Sequence, residues 1–336
     1  MLKVVAFLAT FLVASYAAAQ EQRFFRIGTG GTGGTYFQIG GALASAISSP
    51  PGVPECQRGR ICGVPGLIAV AQASQGSIEN VQAIAQGKIE SGLVQADIAA
   101  WAWRGSRMFR QSGKMEGLRA IASLFPESLH IVATEASGIA RLRDLSGKRI
   151  SVGEPESGTL ADVRLVLAAA GLEEKALKPR YLRIGQAAAT LKAGGLDAFF
   201  FIGGAPVPAI QDIAASTAIR LVPVPDRIAD GIIKRHRFLL RDEIPAGTYS
   251  GIDVPTPTIG TTALWVVSAE VPESLVYAIL KALWQEPTQK LLQSRHPIGN
   301  RIRVENALQG IDIPLHPGAV RYYQEEGIPL PPPILN

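Results

Sequence analysis

Two periods of apolar spacing alternate along this chain. Short apolar runs of strand character stand at residues 24–27, 67–70, 91–95 and 118–124. Between them, apolar residues recur every third or fourth position, the spacing of a helix with one buried stripe. Phe37, Ile39, Leu43 and Ile47 form the first such stripe, and Glu79, Val81, Ile84 and Ala85 continue a helix from Ser77 to Gly87. A short helix carries Trp101 and Trp103. Phe125-Pro126-Glu127 reads as a break, after which the pattern restarts. The second half predicts strands at 129–134, 149–152, 181–184, 197–202 and 219–223, with helices at 160–170, 186–191 and 208–215. A further strand at 261–268 and helices near 272–285, 304–308 and 319–326 complete the chain. Alternation of strand and helix predicts an α/β fold with parallel sheet cores.

The chain is organised around residues 27–47, IGTGGTGGTYFQIGGALASAI. Glycines fill positions 28–34, broken only by Thr29 and Thr32, and a helix starts at Thr35. A strand, a glycine loop and a helix aim free backbone N–H groups at an anion, with the helix dipole adding partial positive charge. Thr35 is the expected N-cap. The loop also satisfies G-x-G-x-x-G, the dinucleotide fingerprint. The acidic residue that should follow about 20 positions on, at the end of a second strand, falls instead on Glu55 in a Pro- and Cys-containing loop. Small-anion binding ranks first, a plain turn second and a dinucleotide third. The stretch Gly153-Glu154-Pro155-Glu156-Ser157-Gly158-Thr159 repeats the architecture in the second half. Ordinary helix capping by Ser157 and Thr159 is the competing reading. Gln95 and Asp97 sit at the carboxyl end of a strand, the side on which open α/β sheets bind ligands.

The start of the chain changes the compartment. Lys3, an apolar run over 4–16 and Ala17-Ala18-Ala19 read as a secretory signal peptide over residues 1–19, too short to span a bilayer. About 317 residues remain, enough for two ordinary domains. The formal net charge of +5 is scattered and forms no nucleic-acid footprint. Cys56 and Cys62 flank a short polar loop with no histidine nearby, so a local disulfide is expected in an exported protein.

Taken together, these stretches resemble the TAXI subfamily of TRAP-transporter substrate-binding proteins. The similar segments are IGTGGTGGTYF at 27–37, GSIENVQAIAQGKIESGLVQADIA at 76–99, LRAIASLFPE at 118–127 and SGIARLRDLSGKRISVGEPESGT at 137–159. LDAFFFIGGAP at 196–206, IPAGTYSG at 244–251 and IPLHPGAVRYY at 313–323 extend the likeness over the mature chain. The resemblance implies a two-lobed, type II-like periplasmic-binding-protein fold, its cleft lying between two βαβ domains joined by a hinge. The expected lobes are 20–127 with 225–336, and 128–224. It implies a periplasmic, monomeric receptor that captures a small carboxylate such as glutamate, a dicarboxylate or a 2-oxo acid. It also implies delivery to a membrane-embedded permease, in this subfamily usually one fused subunit. Carried over residue by residue, the ligand shell falls on Gly33, Gly34, Thr35, Tyr36, Ser77, Asn80 and Gln95 from one lobe. From the other it falls on Ser157, Gly158, Thr159 and Gly204. The chain departs from the subfamily at Ser74-Gln75-Gly76, where a Thr-Gly-Gly run is common, and in the inserted Cys56 to Cys62 loop.

Other classes are weighed against that reading. The sequence carries neither G-x-S-x-G nor H-E-x-x-H, and His130, His236, His296 and His316 share no ligand spacing. No catalytic residue, metal or cofactor is expected. A ligand-sensing module for a signalling partner is the alternative, with an enzyme on the same scaffold behind it. The expected site is polar without strong charges, made of hydroxyls, amides and helix N-termini.

Overall fold

The computed structural model describes residues 22–50, 61–332 and 334. The leader at 1–19 and Cys56 fall outside the described residues. No cysteine among the described residues is free, and Cys62 is disulfide-bonded. The Cys56 end of the expected Cys56–Cys62 pairing lies outside the described residues.

The first half follows the apolar pattern closely. Strand β1 (Arg23–Gly28) leads into helix α1 (Thr35–Ile47), and the two-residue strands β2 (Ser48–Ser49) and β3 (Val64–Pro65) pair beside it. Then come β4 (Leu67–Gln72), α2 (Ser77–Ala85), β5 (Ser91–Gln95) and α3 (Ala96–Arg104). The second half runs β6 (Leu118–Thr134), β7 (Arg149–Ser151), α4 (Gly158–Ala169), β8 (Lys178–Arg180), α5 (Ile184–Lys192) and β9 (Ala198–Gly203). It continues through α6 (Pro208–Ala214), β10 (Ile219–Leu221), α7 (Asp226–Ile233), β11 (Leu240–Ile244) and β12 (Thr256–Ser268). Helices α8 (Glu273–Leu283), α9 (Glu286–Arg295) and α10 (Pro317–Glu325) end it.

Several expectations change. Residues 181–184 do not form a strand: the strand is β8, just upstream, and Ile184 already starts α5. Residues 304–308 make only a short 3₁₀ turn, and α7 and α9 went unread in mixed polar sequence. The main correction is Phe125-Pro126-Glu127. It is no break, because β6 runs unbroken for 17 residues through it. The ladder between β6 and β12 shifts register between Ala263 and Leu264, opposite this point. Irregular ladder positions tolerate a proline that has no N–H to give.

The main sheet orders its strands β4-β1-β5-β12-β6-β9-β7-β8, with β10 added to β6 and β11 to β12. Neither half is purely parallel. β1, β4 and β5 run parallel, and β12 inserts antiparallel between β5 and β6. Residues 118–128 of β6 pair with β12, whereas 128–133 pair with β9. The apolar cores follow the same division. Phe25, Leu43, Phe125 and Trp265 belong to one buried cluster, and Leu129, Ile150, Val163 and Ile259 to another. β6 and β12 each contribute to both, so these two strands cross between the lobes.

Trp265 is fully buried on β12 and meets Phe25 edge-to-face at 6.5 Å. Trp265→Ala is expected to cost about 3–5 kcal/mol in urea unfolding, the range for emptying an aromatic core site. A loss under about 1 kcal/mol would place the first lobe's core elsewhere.

Candidate functional site

The cleft lies where four helices begin. The glycine loop after β1 ends at Gly34, the N-cap of α1, and no side chain caps that first turn. Gly76, with φ of 124°, turns the chain into α2, whose start also lacks a side-chain cap. Gln95 ends β5 and is the N-cap of α3. From the other lobe Ser157 caps α4. The uncapped first turns of α1 and α2 thus face the same space as the start of α4, and in α2 the Glu79 N–H already donates to Glu156 O at 3.1 Å.

Of the sequence-predicted shell, Gly34, Thr35, Tyr36, Ser77 and Gln95 line the cleft from one side. Ser157, Gly158 and Thr159 line it from the other. Gly33, Asn80 and Gly204 stand behind it. Asn80 donates to the carbonyls of Thr29 at 2.7 Å and Leu93 at 2.8 Å, pinning the glycine loop to β5. Gly33 and Gly204 supply carbonyls that bind the two lobes together. Ala209 N–H donates to Gly33 O at 3.1 Å, and the Thr35 hydroxyl donates to Gly204 O at 2.7 Å.

The hydroxyls have different work from that expected. Thr35 is not the N-cap but the first residue of α1, and its hydroxyl crosses to the other lobe. Ser157 is an ordinary cap: its Oγ accepts from Leu160 N–H at 3.1 Å and donates to Glu154 O at 2.7 Å. Thr159 Oγ1 accepts from Ile202 N–H at 3.2 Å, and Ser77 Oγ accepts from Gln95 N–H at 3.1 Å. The lobes are shut on each other, leaving a cavity of about 40 Å³. A site for a drug-sized ligand takes roughly 300–1,000 Å³.

The cleft also holds two carboxyls that the sequence reading gave no role. Among the described residues, the lining holds the carboxyls of Glu127 and Glu154 and no Lys or Arg. Glu127 lies on β6, 1% exposed, and its Oε2 accepts from the Tyr36 hydroxyl at 2.8 Å. Burial pushes its pKa up to about 8, against the opposing pull of that hydrogen bond. Glu154 is raised to about 7, again by burial, although Arg183 stands 3.4 Å away and acts to lower it. Beneath the cleft lie Asp97 on α3 and Asp162 on α4, both fully buried. Gln95 Nε2 donates to Asp162 Oδ2 at 2.6 Å. Burial comes first in raising both aspartates, and mutual repulsion raises Asp162 further. Glu127 escapes the sequence reading because Phe125-Pro126-Glu127 reads there as a break. Glu154 lay inside a loop already singled out and was given no role.

Phe200 and Phe201 of β9, with Leu182 and Ile184, supply an apolar wall. The set contains donors from helix starts, acceptors from carboxyls and a hydrophobic side. It contains no group of three or more His, Cys, Asp or Glu placed to hold a metal ion among the described residues. No helix among them is long and apolar enough to cross a membrane.

Comparison with solved structures agrees with this architecture. The alkanesulfonate-binding protein of Xanthomonas axonopodis pv. citri, bound to MOPS, superposes with a TM-score of 0.50 at 16% identity, covering 92% of this chain and 81% of that one. A Bordetella bronchiseptica RB50 protein gives 0.50 at 16% identity, covering 93% of this chain and 84% of its own. The binding component of a Pseudomonas aeruginosa ABC phosphonate transporter gives 0.50 at 11% identity, with coverages of 81% and 78%. The fold is the two-lobed type II periplasmic-binding-protein fold, with the cleft between its α/β lobes. The NMT1-like family model matches residues 27–327, so the chain belongs to the NMT1-like family.

Proposed function

We propose that this protein is an extracytoplasmic solute receptor that closes on a small carboxylate carrying an ammonium group, an amino acid such as glutamate. The observation that carries the reading is the pairing of opposite chemistries in one cleft. Uncapped starts of α1 and α2 offer N–H donors to a carboxylate. The buried Glu127 carboxyl, with no Lys or Arg in the lining, offers the complement of an ammonium. Sugars match neither feature, and a plain dicarboxylate would meet Glu127 as a like charge unless that residue stayed protonated.

We further propose delivery to a TRAP-type membrane permease, from the sequence likeness to the TAXI subfamily. The ligand shell proposed is Gly34, Thr35, Tyr36, Ser77, Gln95, Gly158 and Thr159, with Glu127 added. The lobe division is proposed at the β6 and β12 crossings. Ala229, Ile232 and Leu239 pack into the second lobe's core, which supports a return crossing on β12 rather than near residue 225.

Closure sets the two lobes at backbone distance. A Cβ built on Gly158 would lie 1.8 Å from Gln95 Oε1. Gly158→Ala is therefore expected to weaken solute binding at least tenfold by calorimetry. The melting temperature should hold, because the closed contact rather than the fold is what it obstructs. Unchanged affinity would place Gly158 outside the closed state.

The function is tested by a thermal-shift screen of amino acids, 2-oxo acids and dicarboxylates. A solute at about 100 times its dissociation constant adds roughly 2.7 kcal/mol of stability. L-Glutamate or another amino acid is the expected hit, recovered chemically unchanged. Glu127→Gln should cost amino acids about 1.5–3 kcal/mol, the value of a charge-assisted hydrogen bond, and spare dicarboxylates. Shifts confined to sugars, nucleotides or metal cations would sink the reading.

A further inference from the structure

The face beyond the end of α3 holds positive charge that no carboxylate of the described residues balances. Arg107, Arg110, Lys234 and Arg235 are exposed, and none of them forms an ion pair among the described residues. Carboxylates of the adjoining elements are already taken. Asp312 holds Arg104 and Arg237, Glu174 holds Arg164, and Asp226 and Asp230 hold Arg241. Glu156 accepts from the Gln75 amide at 3.4 Å. Arg107 also has φ of 57°, the one positive value on a non-glycine residue among those described. A side chain held in that region costs conformational free energy, which marks the segment as constrained.

These cations come from both lobes. Trp101, Phe109 and Ile313 share an apolar cluster with Leu118 and Val266, at the first-lobe ends of β6 and β12. Ile232 and Leu239, which flank Lys234 and Arg235, pack into the second lobe's core. Side chains then join the two segments. Arg107 Nη2 lies 3.3 Å from His236 Nδ1, and the His236 ring meets Trp101 edge-on at 6.1 Å. Arg237 Nη2 donates to both oxygens of Asp312 at 2.7 Å, and Arg104 Nη2 donates to Asp312 Oδ2 at 2.7 Å. The Phe238 ring lies against both guanidiniums, 5.9 Å from that of Arg104 and 5.4 Å from that of Arg237. Trp101 and Arg107 also line a groove of about 410 Å³. Ile78 and Met108 add to it from the first lobe, and Pro155, Leu160 and Leu165 from the second. Groove and cations make one surface only while the lobes are shut.

We propose that this face docks an acidic segment of a partner protein, with an apolar side chain in the groove and Asp or Glu on the cations. Charge complementarity selects the occupant, since the unbalanced groups are all of one sign. An anionic bilayer offers the same charge, but a flat surface cannot enter a groove built from two lobes. The proposal goes beyond the solute reading and needs only the shut lobes. Opening separates Arg107 and Arg110 from Lys234 and Arg235, so a partner bound to all four favours the closed state.

The test titrates the mature protein into a fluorescent acidic peptide, a run of glutamates with one central phenylalanine, and reads polarisation. Binding is expected at low ionic strength and should weaken as salt rises to about 0.3 M. Arg110→Glu combined with Arg235→Glu, both outside the cleft lining, should weaken it about tenfold. Arg110→Ala with Arg235→Ala, expected to give a smaller loss, serves if the reversal does not fold. Lys192→Glu with Arg295→Glu changes the net charge equally at exposed positions on α5 and α9, outside the groove, and should leave binding nearly intact. A peptide with serine in place of phenylalanine should bind more weakly. Absence of peptide binding overturns the docking face, and so does an equal loss in the two double variants, which reads net charge alone. A serine peptide that binds as well removes the groove from the proposal and overturns it too. Sedimentation with phosphatidylglycerol vesicles in place of peptide binding would assign the face to a membrane instead. The solute screen reads the receptor function separately, so either claim can fail alone.

Discussion

Everything in this protein that moves or binds is constrained by two long antiparallel strands. β6 and β12 are paired along most of their length and belong to both apolar cores. A single chain crossing would allow the lobes to twist freely. Two crossings in one ladder confine them to rotation about an axis through the paired segment. Glu127 sits on that segment, and Thr261 faces it in register. The carboxyl at the floor of the cleft is thus attached to the axis itself, where rotation displaces it least.

The second determinant is that, among the described residues, no Lys or Arg lines the cleft. Lys and Arg are plentiful in the chain, but their ion pairs lie outside, as with Arg26 and Glu90 or Arg149 and Asp197. Those partly exposed pairs are each worth little. The buried carboxyls, by contrast, keep their full desolvation penalty. Burial dominates their acid–base behaviour for that reason.

Most of the framework could be read in the sequence because burial and period coincide there. Phe25, Ile27, Ile39 and Leu43 are fully buried, as their spacing required. The eight expected residues that line the cleft all sit at starts of helices or the end of β5, positions that glycine and hydroxyl patterns mark. What could not be read was contact between distant segments. Asn80 looks like a ligand group in sequence, and only its carbonyl partners show it to be a brace. Pro126 suggests a turn, and only the irregular ladder beside it explains a strand.

One hydrogen bond carries a consequence for energetics. The Thr35 hydroxyl already donates to Gly204 O, and Gln95, Ser77 and Thr159 are likewise engaged across or within the shut cleft. A solute entering here does not find these four side chains idle; to bond with them it displaces partners that the protein has supplied to itself. Binding is then an exchange reaction, in which the enthalpy of each new contact is offset by one surrendered. Selectivity in such a site comes from geometry of replacement more than from strength of attraction.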